Sequence, residues 1–119
     1  MPMNEYPKPI KRLLHEYTAK AYEGELKRAL AGLDRSFTEW RAGTISSGEL
    51  SHRIHQYETG PSRELFSRYN DGPQDMNVAH AIVTGSLPEG EVPAELLEAL
   101  SQPLAFYRML KARGDLREN

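Results

Sequence analysis

Apolar residues recur at helical spacing along most of this chain, and no stretch sustains the period-two alternation of a half-buried strand. From Pro9 to Arg41 strong helix formers run without a proline until the pattern stops at Gly43, which predicts one long N-terminal helix over about 9–41. Ser46 followed by Glu49 has the spacing of a capping box and opens a second helix that carries Leu50, Ile54 and Tyr57 to Gly60. Pro61 begins a short third helix with Leu65, Phe66 and Tyr69, closed by the turn residues Asn70–Pro73. Asp75 is placed to cap a fourth, with Met76, Ala79, Ile82 and Val83 inward and Gly85 as its stop. After Pro93 the positions Leu97, Leu100, Leu104 and Tyr107 keep helical spacing through Pro103, so this segment is either one kinked helix or two, the second starting near Ser101. The expected fold is all-α, five to six helices, with the long N-terminal helix packed on a bundle of shorter ones. Residues 1–119 form a single helical domain, with 1–8 and 114–119 expected to fray.

The long helix carries two apolar stripes. With Ile10 set at 0° and about 100° per residue, Leu13, Leu14, Tyr17 and Ala21 fall within about 60° of it, whereas Leu26, Leu30, Leu33, Phe37 and Trp40 centre near 150°. The second stripe has a 4, 3, 4, 3 spacing suited to packing at a shallow angle. It is therefore expected to be the domain's own core, facing Leu50, Ile54 and Tyr57. Gly24 lies where the stripes change over, but one glycine costs a helix only ~1 kcal/mol, so continuity is expected. A continuous helix of that length is ~50 Å long, more than the ~35 Å diameter of a compact domain of this size. The first half should then project and present Ile10, Leu13, Leu14, Tyr17 and Ala21 as the interface of a homodimer.

Composition narrows the classes. Fifteen Lys plus Arg against seventeen Asp plus Glu leave a net charge of −2 with no polybasic run, which disfavours nucleic acid as a partner. The absence of cysteine removes disulfides and thiol chemistry. No apolar run is long enough to span a membrane, and the start MPMNEYPKPIKRLL carries no signal segment, so a cytoplasmic location is expected.

Candidate chemistry is sparse. Glu49, His52, His55 and Glu58 recur every three residues, but Glu49 and Glu58 end about 180° apart on a helix, so one ion cannot collect all four. Glu49 with His52 has the Glu-x-x-His spacing of carboxylate-bridged di-iron bundles, and a metal-dependent enzyme built on Glu49 and His52 would need a second copy and a further ligand such as Glu23 or Glu39; His55 is the remaining metal candidate. The expected cofactor content is none. Trp40, Tyr57 and Tyr107 are candidate liners of an inter-helix pocket for a small molecule.

The segments AYEGELKRAL and SSGELSHRIHQYETGPSRELFSRYN resemble short uncharacterised all-helical bacterial proteins, including ones carried on mobile gene cassettes. That resemblance implies no activity and assigns no functional residue. The expected function is a non-enzymatic oligomeric binding or scaffold module, a homodimer with a possible further protein partner. The helical metalloenzyme and the small-molecule binder are the alternatives.

Overall fold

The computed structural model describes residues 5–116, and among these it contains six α-helices and no strand. Helix α1 runs from Lys8 to Arg41 without a break. Gly43, at φ 81°, takes the left-handed conformation after it, which glycine adopts without steric cost. Helix α2 spans Ser47–Tyr57, and the Ser46 hydroxyl accepts the Glu49 amide at 3.0 Å, as the cap spacing predicts. Pro61 has no N–H to donate, and there the chain widens into a π-helical turn, Glu58–Ser62, which leads directly into α3, Arg63–Asp71. Helix α4 covers Gln74–Thr84 and ends at Gly85 with φ 87°. A 3-10 turn at Glu89–Glu91 precedes α5, Ala94–Ala99, and α6, Ser101–Arg113. The C-terminal region thus divides in two: Leu100 leaves helical geometry, and Pro103 sits in the first turn of α6, where its missing donor costs little. No helix among the described residues is long and apolar enough to cross a membrane.

Helix α4 is the hub. Val78, Ala79, Ala81, Ile82 and Val83 are all buried, so it must be covered on several sides, and it packs against the N-terminal half of α1 and against α6. Leu96, Leu100 and Leu104 close the same core from α5 and α6. The stripe expected to be a dimer interface is part of this core. Leu14 and Ala21 are 0% exposed, Tyr17 is buried with its hydroxyl donating to the Glu91 carbonyl, and Ile10 and Leu13 pack against them.

Small residues explain why this half is covered. Tyr17, Ala21 and Gly24 share one face of α1, and a Cβ added at Gly24 would lie 2.7 Å from the Ser86 carbonyl oxygen. Gly24 is therefore not a helix break. It is the point of closest approach between α1 and the turn after α4.

The C-terminal half of α1 continues past the body, which is why the molecule measures 53 × 30 × 22 Å. Beyond Glu25, the one buried residue of α1 is Ser36. Here α2 folds back as the second strut of a helical arm, and it meets only an edge of the leucine stripe, at Leu33. It docks beside the small residues Ala29, Gly32 and Ser36, with Leu50 buried and Tyr57 half-buried. Arg53 ties the two helices along one flank, donating to Glu39 at 2.6 Å, to Glu49 at 3.1 Å and to the Ser36 hydroxyl at 3.2 Å. On the other flank the Trp40 indole N–H donates to the Ser47 hydroxyl at 3.0 Å.

Described residues near both chain ends contact the body. Tyr6 is buried and donates to Asp75 Oδ2 at 3.1 Å, while Gly114 closes α6 and Leu116 packs on the core. Residues 1–4 and 117–119, which also belong to the expected frayed ends, lie outside the described residues.

Two stability measurements test this packing. Gly24→Ala gains ~1 kcal/mol of helix propensity but forces α1 away from Ser86, and the cost of overpacking, ~1–3 kcal/mol, should leave the variant less stable than the parent by urea denaturation. Leu14→Ala should cost ~2–5 kcal/mol as a buried leucine, whereas Trp40→Ala should cost no more than ~1 kcal/mol at the tip of the arm. The reverse order would place the core in the other half of α1.

Candidate functional site

Two surfaces stand out once the helices are placed: one face of the arm and a polar cleft in the body. On the arm, the Trp40–Ser47 contact identifies which side of α2 shares a face with the leucine stripe of α1. Ile54 lies seven residues after Ser47, two turns along the same side. Leu33 and Leu26 lie seven and fourteen residues before Trp40 on its line. The result is one apolar face holding Leu30 (44% exposed), Trp40 (40%) and Ile54 (37%), with Leu26, Leu33 and Phe37 half-buried among them. Phe37 meets Trp40 edge to face, ring centres 6.4 Å apart. Toward the body the face continues to Tyr22, which lines a shallow cavity with Phe66, the most exposed of the large apolar side chains at 60%.

The expected metal and pocket residues do not come together. Glu49 is engaged by Arg53, as is Glu39, and His52 and His55 are exposed on α2. Among the described residues no group of three or more histidines and carboxylates is arranged to hold a metal ion. Trp40 lies at the arm's tip, Tyr57 lines a cleft of about 270 Å³ inside the arm, and Tyr107 lines a different cleft in the body. They are therefore not the walls of one pocket.

Sequence reasoning missed two features. The first is the junction of arm and body. Glu25 is buried, accepts from the Tyr69 hydroxyl and is ion-paired with Arg68 (Nη1–Oε1 3.5 Å), while Tyr69 stacks on Tyr22 at 5.3 Å. Glu25 reads in the sequence as an ordinary helix-surface glutamate, and only the approach of α3 buries it. The second is the body cleft of about 630 Å³ between α3, α4 and α6. Arg63, Ser67 and Arg68 form its α3 wall, opposite Asn77 and His80 of α4 and Tyr107 of α6, with Glu64 on the rim. His80 and Tyr107 meet edge to face at 5.2 Å.

Burial, then hydrogen bonding to a carboxylate, raises two tyrosine hydroxyls above their ordinary value of 10.0: Tyr69 beside Glu25, and Tyr6 beside Asp75, the latter to about 12. A folded value above the unfolded one means that stability is intact below pH 10 and is lost as pH rises past it, for Tyr6 over the window from 10 to about 12. Urea midpoints measured across that window should fall in the parent and fall less steeply in Tyr6→Phe. An identical decline in both would remove the Tyr6–Asp75 contact from the folding balance.

Comparison with known protein families, with curated proteins and with solved structures gives no match, so the chemistry of this chain is read from its own residues.

Proposed function

We propose that this protein is a non-enzymatic scaffold that self-associates through the apolar face of its helical arm, the occupant of that face being a second copy of the same chain. The observation that carries this reading is the position of the stripe: a 4, 3, 4, 3 seam of large apolar residues, of the kind that joins helices, is covered only in part by its own chain and leaves Leu30, Trp40 and the neighbouring Ile54 exposed. Three large apolar side chains on one face, Leu30, Trp40 and Ile54, are each more than a third exposed, a grouping of the kind that marks interaction surfaces.

Charge favours a second copy, and in one orientation. Glu23 and Arg41 lie on the same line of α1, about five turns apart, at the two ends of the seam, and both are exposed. An antiparallel copy sets the Glu23 end of one arm against the Arg41 end of the other, and a parallel copy sets like against like. Two arms paired this way form a four-helix bundle with a body at each end, a twofold arrangement in which the same patch is used by both copies. The arm supplies the interface that the N-terminal stripe cannot, since Leu14, Tyr17 and Ala21 are core.

Light scattering coupled to gel filtration tests this. At about 100 μM the parent should elute at twice the 13.5 kDa chain mass. Leu30→Glu with Ile54→Glu, both at exposed positions, should give a monomer of unchanged helix content. Arg41→Glu should weaken the dimer, and Glu23→Lys added to it should restore the dimer. A single-chain mass for the parent at that concentration, or a double variant that remains dimeric, would overturn the proposal.

A further inference from the structure

The body cleft adjoins the base of the arm, sharing Arg63 with the cavity of Tyr22 and Phe66, and is built from donors. Six of its lining side chains, contributed by three helices, can offer N–H or O–H groups, and its volume is in the range of small-molecule sites. Arg68 is oriented from behind: Glu25, itself buried, holds its guanidinium, and Tyr69 holds Glu25 in turn. Asn77 Nδ2 donates to the Arg68 carbonyl at 2.7 Å and so fixes α3 against α4 across the floor of the cleft. A guanidinium held this way loses little freedom on meeting a ligand, the general route by which preorganisation raises affinity.

Charge and shape select the ligand class. Two guanidinium groups, Arg63 and Arg68, are balanced by two carboxylates, Glu64 on the rim and Glu25 behind Arg68. With its charges already balanced, such a site takes up one added negative charge on its donors at less electrostatic cost than two. Planar guanidinium forks match the two oxygens of a carboxylate. The opposite wall offers the rings of His80 and Tyr107. We propose that this cleft binds a small aromatic carboxylate, its carboxylate held by Arg63 and Arg68 and its ring against His80 and Tyr107.

Benzoate is the probe, benzamide its neutral counterpart and inorganic phosphate the more highly charged comparison, each titrated into the full chain and followed by amide and side-chain NMR shifts. Benzoate should shift the amides of Ser67 and Asn77 and the side-chain signals of Arg68 and His80, with a dissociation constant of about 1 mM. Benzamide should bind at least about tenfold more weakly, and phosphate no more tightly than benzoate. Arg63→Gln, at an exposed position, should weaken benzoate several-fold while leaving the amide spectrum otherwise that of the folded parent. The proposal is overturned if benzoate up to about 10 mM moves none of these signals, if benzamide matches it, or if phosphate binds more tightly. The titration reads the cleft whether the chain is a monomer or a dimer, so it stands or falls separately from the arm.

Discussion

One helix is longer than the body it helps to build. Helix α1 has 34 residues, about 51 Å at 1.5 Å per residue, while the molecule's shorter dimensions are 30 and 22 Å. The remaining helices, each 13 residues or shorter, do not cover all of it. The body therefore encloses one half, and the other half leaves with α2 as an arm. Core, arm and partly covered apolar seam all follow from that mismatch of lengths.

The half that is enclosed is the one that allows close approach. Ala21 and Gly24 bring α1 against the turn after α4, and this lets the most apolar helix of the chain be covered on several sides. On the arm the same rule repeats: α2 takes the face with Ala29, Gly32 and Ser36, where the backbones can come near, and leaves the larger residues to one side. Dispersion and exclusion of water both reward short distances between helices. Large side chains on an isolated two-helix strut hold a neighbour farther off and keep an exposed flank.

Where arm meets body, the chain buries charge. Glu25, Arg68 and Tyr69 fasten α3 to the middle of α1 at the last point where α1 is enclosed. A buried pair of this kind adds little net stability, but removing one partner strands the other at a cost of ~3–5 kcal/mol, so the contact specifies position more than it strengthens the fold. It fixes the direction in which the arm leaves, and it presents the Arg68 guanidinium to the neighbouring cleft.

The sequence by itself determined what depends on neighbours a few residues apart. The Ser46 cap, the left-handed glycines at 43 and 85, the continuity of α1 through Gly24 and the all-helical class are set by local hydrogen bonding and backbone sterics. The two stripes of α1 and the excess length of the helix were equally legible, as was the projection of one half. Which half projects was not. Periodicity ranks faces by apolar content, and by that measure Leu26 to Trp40 outweighs Leu14, Tyr17 and Ala21; small residues occur in both halves, Ala21 and Gly24 in one and Ala29, Gly32 and Ser36 in the other, and do not separate them. Tyr107 and Tyr57 were separated, and Glu25 and Arg68 joined, by the way α3, α4 and α6 dock, contacts between residues tens of positions apart. Tertiary structure decided these because burial is a property of what approaches a face, and a helix wheel contains only the face.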